Sequence, residues 1–287
     1  MASIKLKAYA KINLSLDVLG KRPDGYHEIR TIMQSIGLHD RVFIEIADNG
    51  IEVISNNKWV PSGEKNIAFK AADLVIKRFN LNKGVRIKID KRIPVAAGLA
   101  GGSTDAASVL KGMNSIFSLG MNEQDLLELG KQIGADVPFC IKGGTMLSEG
   151  IGEILTQLPP MGSVPLVLIK PRIGVSTAWV YSNLSLENIT CRPDTDSLIR
   201  AIHEHDKDYL AKNMKNVLES VTEKKFEIIT DIKKQLIDAG ALGSMMSGSG
   251  PSVFGLFKDK KTALHAFKKL KSRKWECFLT QTYNEER

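Results

Sequence analysis

Residues 93–112 read IPVAAGLAGGSTDAASVLKG, and the interpretation of the rest of the chain starts from this stretch. Before it, apolar and polar residues alternate over residues 85–89, which predicts a strand. Within it, Gly98, Gly101 and Gly102 allow backbone conformations that other residues avoid. After it, apolar residues follow helical spacing. The sequence therefore predicts a strand, a glycine loop and the N-terminus of a helix.

Such a unit is suited to binding phosphate. Ser103, Thr104 and Asp105 stand where the helix should start, as capping residues do. Backbone N–H groups and the positive end of the helix dipole favour an anion there. A tight connection without a ligand is the alternative. No Gly-Lys-Ser/Thr follows the glycines and G-x-G-x-x-G is absent, so any phosphate-binding lysine must come from elsewhere. Asp105 would repel phosphates, and we expect it to cap the helix or face away.

Composition sets broad limits on the function. The chain has 287 residues, of which 43% are hydrophobic and 25% charged, which is typical of a globular protein with one or two domains. No apolar run is long enough to span a membrane, and the N-terminus lacks the apolar core of a signal peptide. Three widely spaced cysteines argue against a disulfide framework and favour a cytoplasmic location. The net charge of +8 favours anionic ligands only weakly, and the densest basic cluster, residues 258–274, is expected to be a solvated helix face.

Two N-terminal features suggest binding roles. Residues 4–18 alternate strictly between apolar and other residues, which predicts a long strand with one buried face. Lys11 and Asn13 are neighbours on its opposite face, where they point together either into a cleft or into solvent. Tyr26 and His27 follow a strong turn signal. They are suited to stacking on and hydrogen bonding with a flat heterocycle, although packing alone is the alternative.

Asp136 is the carboxylate that we single out. It follows a predicted helix that Gly134 ends, in a turn flanked by apolar residues, so we expect it to be partly buried and to need a partner. The alternative is an aspartate that hydrogen-bonds within its own turn. A second glycine-serine stretch, Gly243 to Gly250, is another candidate wall for an anionic ligand, with a polar hairpin loop as the alternative.

Patterns elsewhere predict the remaining architecture. Residues 42–53 are typical of a hairpin with a turn at Asp48-Asn49-Gly50, and residues 158–162 of a linker. The second half approximates a β-α-β-β-α-β split with extra helices inserted. Its strands are expected at 165–169, at 252–257 and near Cys277, and its helices at 176–183, 195–203, 207–221, 225–239 and 261–271.

Five stretches taken in order resemble the GHMP kinases, the superfamily of galactokinase and of the homoserine, mevalonate and phosphomevalonate kinases. Residues 94–107 resemble its glycine loop and residues 242–253 its late glycine-serine motif. Residues 8–14, 22–27 and 134–138 resemble one branch, whose acceptor alcohol belongs to the erythritol part of a cytidine diphosphate conjugate. Residues 171–202 match poorly, which puts substrate contacts there in doubt.

The resemblance implies an α+β fold of two lobes, with the active site in the cleft between them. Residues 1–158 would form an ATP-binding lobe like domain 2 of ribosomal protein S5. Residues 159–287 would form a ferredoxin-like C-terminal GHMP kinase lobe. The cofactors implied are ATP and Mg²⁺. The partners implied are ATP and the cytidyl conjugate, with no nucleic acid and no membrane, in a monomer or homodimer.

The resemblance also implies roles for individual residues. Asp136 would accept the proton of the attacking hydroxyl, with Lys11 beside it as the cation that the glycine loop lacks. ATP binding is expected from Asn66, Lys91, Pro94, Val95, Ala96, Ala97, Gly98, Leu99, Ala100, Gly101, Gly102, Ser103 and Thr104. The metal would meet Ser103 or Thr104. Acceptor binding is expected from Asn13, Tyr26, His27, Tyr181, Ser247, Gly248 and Ser249.

Two other functions compete with this one. Another GHMP kinase, acting on mevalonate, phosphomevalonate or homoserine, would share most of these motifs, but Tyr26-His27 is better suited to a nucleobase than to a small aliphatic acid. An RNA-binding protein with an S5-like lobe would fit the basic charge, yet it gives Asp136 and the two glycine stretches no role.

Overall fold

Two long strands begin the chain: β1 (Ser3–Lys21) and β2 (His27–Ala47). In β1 the burial alternates as the sequence predicts only as far as Ala10. From Ala10 to Val18 every residue is buried, including Lys11 and Asn13. The prediction of a single buried face is therefore wrong for the second half of the strand. There the polar face is also covered, and its side chains hydrogen-bond within the protein.

The computed structural model describes residues 2–284, and these fall into two compact units. The first unit comprises residues 2–10, 38–95 and 100–142; the second comprises residues 11–37, 96–99 and 143–284. The units are discontinuous because β1 and β2 contribute residues to both. The boundary that the sequence predicts after residue 158 does not coincide with this division, and a separate ATP-binding domain of residues 1–158 stays a prediction.

In the first unit, β4 (Gly84–Asp90) lies between β2 and β3 (Ile51–Ser55). It pairs antiparallel with residues 41–47 of β2 and parallel with β3. The predicted hairpin of β2 with β3 is therefore wrong, although the turn between them exists. A Cβ on Gly84 would lie 2.0 Å from the Gly50 carbonyl oxygen, so glycine is what allows β4 to enter beside that turn.

Four helices cover this sheet: α1 (Ile67–Phe79), α2 (Gly101–Ile116), α3 (Glu123–Ile133) and α4 (Val137–Lys142). Asn66 caps α1 and Asn122 caps α3, as the sequence predicts, since each side chain accepts a first-turn backbone N–H. Apolar faces of α1, α2 and α3 meet β2 and β4 in one core. Helix α4, which the sequence analysis missed, follows α3 after a three-residue turn.

In the second unit, residues 29–34 of β2 pair with β5 (Thr145–Gly150), which pairs with β6 (Ile154–Gln157). A separate antiparallel sheet has the order β10-β7-β9-β8, formed by β7 (Pro165–Pro171), β8 (Gly243–Met246), β9 (Val253–Leu256) and β10 (Trp275–Gln281). Counted within that half, the order is fourth, first, third, second. This is the split β-α-β-β-α-β arrangement that the sequence predicts.

The helices of this unit are α5 (Thr177–Ser182), α6 (Thr195–His203), α7 (Lys207–Asn213), α8 (Glu219–Lys225), α9 (Ile228–Asp238) and α10 (Lys260–Leu270). The single helix predicted over 207–221 is wrong. Leu16 of β1 donates its N–H to the Lys215 carbonyl and accepts from the Val217 N–H, each at 2.9 Å, so this backbone pairs with a strand instead. Among residues 2–284, no helix is long and apolar enough to cross a membrane.

Candidate active site

The first glycine loop, residues 94–100, connects β4 to α2 through a strained path. Ala96 and Ala100 have φ values of 51° and 55°, and Gly98 has 73°. The left-handed conformation costs an L-residue about 1–2 kcal/mol, and it persists only where the surroundings hold it. The loop is therefore a shape imposed on the chain rather than a relaxed connection.

Helix α2 starts at the end of this loop without a side-chain cap. Its N-cap residue is Ala100, whose methyl side chain cannot accept a first-turn N–H. The prediction that Ser103, Thr104 and Asp105 cap the helix is wrong, because Gly101 and Gly102 already belong to its first turn. Ser103 is half-buried and Thr104 is buried. The uncapped N–H groups and the dipole of a 16-residue helix favour an anion at this point.

Lys91, three residues before the loop, forms a buried ionic bridge with Asp40 and Asp105. Its Nζ atom donates to Asp40 Oδ2 and Asp105 Oδ2 at 2.6 Å each, and to the Gly101 carbonyl at 3.0 Å. The side chain of Lys91 is 4% exposed, and all three of its N–H donors are used. A contact with adenine would require one of these bonds to break. The ATP-binding role of Lys91 stays a prediction.

The bridge contains two carboxyl groups and one ammonium. Burial, together with the nearby Asp40, raises the pKa of Asp105 to about 8, although Lys91 acts in the opposite direction. Burial alone would lower the pKa of Lys91, but the two carboxylates outweigh it and raise that pKa. At neutral pH the Asp105 carboxyl group thus keeps its proton, beside the charged ammonium of Lys91. Of the two expectations for Asp105, capping the helix is wrong; the side chain is buried and turned to Lys91.

Asn66 is buried in the same unit, and both the oxygen and the nitrogen of its side-chain amide form hydrogen bonds. Its Oδ1 accepts from the Ala68 N–H, and its Nδ2 donates to the Pro61 carbonyl, each at 2.8 Å. The side chain thus fixes residues 61–68 at the start of α1. Its contact with ATP stays a prediction.

Asp136 occupies the turn between α3 and α4, as the sequence predicts. Gly134 ends α3, and the Asp136 carbonyl accepts the Cys140 N–H at 3.1 Å, which closes the first turn of α4. The residue is half-buried. It therefore combines a fixed backbone with partial access to solvent, as a proton acceptor requires.

In the second unit, Lys11 and Asn13 point together, as proposed from their spacing. Lys11 Nζ donates to Asn13 Oδ1, and Asn13 Nδ2 donates to Thr31 Oγ1, each at 2.8 Å. The Lys11 N–H donates to the Leu99 carbonyl at 3.2 Å. Both side chains are buried, so the solvent-facing alternative is wrong. The backbone of Lys11 is thus joined to Leu99 of the first glycine loop, and its side chain to Asn13.

The second glycine loop, residues 247–250, contacts the first. Ser247 Oγ donates to the Gly98 carbonyl at 2.9 Å. A Cβ on Gly98 would lie 2.1 Å from the Ser247 carbonyl oxygen, and one on Gly248 would lie 3.6 Å from Asn13 Oδ1. The second unit therefore brings together Asn13, the tip of the first loop and Ser247-Gly248. The predicted loop from Gly243 is shorter than expected, because residues 243–246 form β8.

Sequence reasoning missed the residues that support this second loop. Asn216 Nδ2 donates to the Met246 carbonyl at 2.9 Å and to the Gly248 carbonyl at 2.7 Å. Glu219 accepts the Met246 N–H at 2.7 Å and pairs with Lys233. Thr177 exchanges a hydrogen bond with Ser249 at 2.8 Å. Asn216 escaped notice because it lies inside the helix predicted over 207–221, where an asparagine carries no periodic signal.

Two predicted aromatic residues meet in the second unit. The rings of His27 and Tyr181 lie 5.0 Å apart at an angle of 34°. Partial burial, and then the charge of Lys21, lower the pKa of His27, so the imidazole is neutral at pH 7. Tyr26 is 60% exposed. A neutral imidazole with one donor and one acceptor, beside exposed and half-buried rings, is suited to a heterocycle.

The chain resembles proteins of known family along its whole length. Residues 66–144 match the family described as GHMP kinases N terminal domain, and residues 198–277 match GHMP kinases C terminal. A 4-diphosphocytidyl-2-C-methyl-D-erythritol kinase of Acetivibrio thermocellus is 64% identical over 98% of this chain and 100% of its own length. One from Clostridium botulinum is 50% identical over 97% of this chain and 100% of its own.

Solved structures agree with these matches. The crystal structure of a 4-(cytidine 5'-diphospho)-2C-methyl-D-erythritol kinase superposes with a TM-score of 0.84 at 30% identity, over 98% of this chain and 100% of that one. A homoserine kinase from Cytophaga hutchinsonii superposes with a TM-score of 0.78 at 20% identity, over 99% and 95%. The second likeness concerns the fold alone. The α+β GHMP kinase fold that the sequence predicts is confirmed.

We predict that Asp105→Asn changes how stability depends on pH. The folded pKa of about 8 lies above the ordinary 3.8, so the folded protein holds this proton more tightly than the unfolded chain does. The contribution of Asp105 is therefore complete below about pH 4 and is lost as the pH rises through about 8. Denaturant titrations from pH 5 to 9 should give a free energy of unfolding that falls more with pH in wild type than in D105N. Equal slopes would contradict the raised pKa.

Proposed function

The chain belongs to the 4-diphosphocytidyl-2-C-methyl-D-erythritol kinase family of GHMP kinases, and we propose that it phosphorylates that alcohol with ATP. The observation that carries the donor half is the strained first glycine loop, which leads into the uncapped N-terminus of α2. The product would be the 2-phosphate, an intermediate of the non-mevalonate route to isoprenoid precursors. Three free cysteines among the described residues fit a reducing cytoplasm.

Chemically, the acceptor hydroxyl oxygen forms a bond to the γ-phosphorus while the bond from that phosphorus to the β–γ bridging oxygen breaks. ADP leaves with the electron pair of the broken bond, and the hydroxyl proton passes to Asp136. Such a transfer depends on positioning and charge neutralisation more than on covalent chemistry. The N–H groups at the start of α2 are suited to the phosphates, and Lys11 is proposed as the cation that stabilises charge on the transferring group.

The described residues also fit a magnesium ion that ATP would carry. They contain no group of three or more His, Cys, Asp or Glu side chains that could hold a metal. Mg²⁺ typically keeps several waters and binds substrate phosphates with few protein ligands. Of the two hydroxyls at the start of α2, that of Ser103 is the better candidate ligand, because Thr104 is more deeply buried. The ion would neutralise phosphate charge.

For the acceptor, we propose that Tyr26, His27 and Tyr181 bind the cytosine ring. The proximity of His27 and Tyr181, the neutral imidazole and the exposure of Tyr26 support this role. Ser247, Gly248, Ser249 and Asn13 are proposed to bind the remainder of the acceptor. Buried hydroxyls and backbone groups held by Asn216 and Thr177 support that assignment.

One assay tests the proposed function. ADP release is followed after the full chain and Mg-ATP are mixed with one candidate acceptor at a time. The acceptors are the cytidyl methylerythritol conjugate, methylerythritol phosphate without the cytidine, mevalonate, phosphomevalonate and homoserine. We expect kcat/KM for the cytidyl conjugate to be roughly 10²-fold or more above every other acceptor. A faster reaction with another alcohol would assign the chain to a different acceptor. RNA affinity with a steep salt dependence and no ATP turnover would refute the kinase.

Asp136→Asn is predicted to lower kcat by ~10²-fold or more, because the amide cannot accept the proton. The KM values for both substrates should change little, since shape and volume are kept. Glu128→Gln is the matched control, as Glu128 is an exposed carboxylate on α3, and it should retain the wild-type kcat. A near-normal kcat in folded D136N would remove Asp136 from the mechanism.

Tyr26→Ala and His27→Ala are predicted to weaken acceptor binding selectively. Loss of a stacking or hydrogen-bonding partner of a base costs about 1–3 kcal/mol, so KM for the cytidyl conjugate should rise roughly 5- to 100-fold. KM for ATP should stay within about twofold. Tyr209→Ala, which removes another exposed tyrosine, should change neither constant. An effect mainly on KM for ATP would place the two residues on the donor side instead.

A further inference from the structure

We propose that Asp40, Lys91 and Asp105 are positioning residues of the first glycine loop, whose buried ionic bridge joins the two ends of the loop and sets its shape. The three side chains are almost completely buried, at 0%, 4% and 4% exposure. The proposal rests on the proposed function in one respect, namely that this loop binds ATP.

The bonds of the bridge lead to both ends of the loop. On the entering side, Asp40 Oδ1 accepts the backbone N–H groups of Arg92 and Ile93 at 2.5 and 2.8 Å. On the leaving side, Lys91 Nζ donates to the Gly101 carbonyl at 3.0 Å. Since Lys91 also pairs with Asp40, one connected set of bonds fixes where residues 94–100 begin and end.

The leaving end is also anchored by a side chain of α2. Asp105 Oδ2 accepts from Lys91 Nζ at 2.6 Å, so helix α2 is tied, just beyond its first turn, to the segment that follows β4. A Cβ on Gly101 would lie 3.1 Å from Lys91 Nζ and 3.0 Å from Ile93 Cγ2. Glycine therefore allows the close approach through which the ammonium reaches the helix backbone.

The loop between these ends needs such support. Ala96 and Ala100 lie in the left-handed region, and residues in this region relax unless neighbouring structure holds them. The directions of the first N–H groups of α2 depend on the turn at Ala100. A bridge that fixes Ile93 and Gly101 therefore fixes the part of the loop that would face phosphate.

The charges of the bridge favour a role in positioning the loop over a role in stabilising the folded protein. Replacing buried ion pairs with apolar side chains is often neutral or stabilising, so a gain in stability alone gives little reason for three ionisable groups here. Among the described residues, Asp105 Oδ1 has no hydrogen-bond partner, so part of this carboxyl group is buried without compensation. The arrangement sacrifices stability for defined geometry.

Ionisation of Asp105 should weaken the bridge. The charged side chains that interact with Asp105 are Lys91, after β4, and Asp40, on β2. Helices α1, α3 and α4 also pack against α2, and within residues 2–284 they add no charged partner to Asp105. Burial raises the pKa of Asp105 to about 8, so above that pH two carboxylates would share one ammonium. KM for ATP in wild type should therefore rise between pH 7 and 9.

The test compares Asp40→Asn, Lys91→Met and Asp105→Asn with the matched control Lys88→Met, an exposed lysine on β4. Each full-length variant is checked for folding by circular dichroism. Its KM values are measured from pH 7 to 9, and its affinity for ADP is measured by calorimetry. We expect D40N and K91M to raise KM for ATP and Kd for ADP about tenfold or more. KM for the acceptor should change less than about threefold, and K88M should match wild type.

Asp105→Asn keeps the proposal testable if Lys91→Met does not fold. It should remove the rise in KM for ATP between pH 7 and 9 that wild type shows. Unchanged ATP and ADP constants in folded D40N and K91M, or a pH dependence in D105N equal to that of wild type, would overturn the positioning role. Failure of the proposed function looks different: wild type itself would neither bind ADP nor phosphorylate the cytidyl conjugate.

Discussion

Two buried carboxyl groups that share the ammonium of Lys91 form the interaction that holds both ends of the first glycine loop. The glycine loop carries strain at Ala96 and Ala100, and nothing within residues 94–100 explains why that strain persists. Asp40 and Lys91 supply one part of the explanation, since they hold the backbone at Ile93 and at Gly101. The Lys11 N–H and Ser247 Oγ supply another, since they donate to the carbonyls of Leu99 and Gly98. A flexible glycine-rich segment thereby becomes a defined structure whose next residues start an uncapped helix.

The second glycine loop is also held in place by buried polar side chains, but mainly through an amide instead of an ionic bridge. Asn216 donates to the carbonyls of Gly248 and of Met246, the residue that precedes the loop. Glu219 accepts the Met246 N–H, and Ser247 donates to the Gly98 carbonyl. Burial raises the pKa of Glu219, and Lys233 offsets part of that cost. In both loops a buried side chain from a distant part of the sequence accepts or donates to the backbone. The glycines provide room, and these polar residues provide the shape.

The sequence predicts what depends on periodicity and local chemistry. The caps at Asn66 and Asn122, the end of α3 at Gly134 and the pairing of Lys11 with Asn13 all follow from spacing and residue type. Three expectations fail because long-range contacts override local ones. Gly84 lets β4 enter between β2 and β3, strand β1 captures the backbone at Lys215 and Val217, and Lys91 turns Asp105 away from a capping role. No local pattern identifies Asp40 or Asn216, since Lys91 lies 51 residues from Asp40, and Met246 lies 30 residues from Asn216 along the chain.

The first glycine loop contains no lysine, and two lysines outside it, Lys91 and Lys11, have different surroundings. Lys91 is next to the loop in sequence, but its three N–H donors are used by two carboxyl groups and a carbonyl. Its charge is balanced within the protein and adds little attraction for phosphate. Lys11 instead donates to the neutral amide of Asn13. The role proposed for Lys91 is therefore to hold the first glycine loop, and the role of the cation at the transferring group is the one proposed for Lys11.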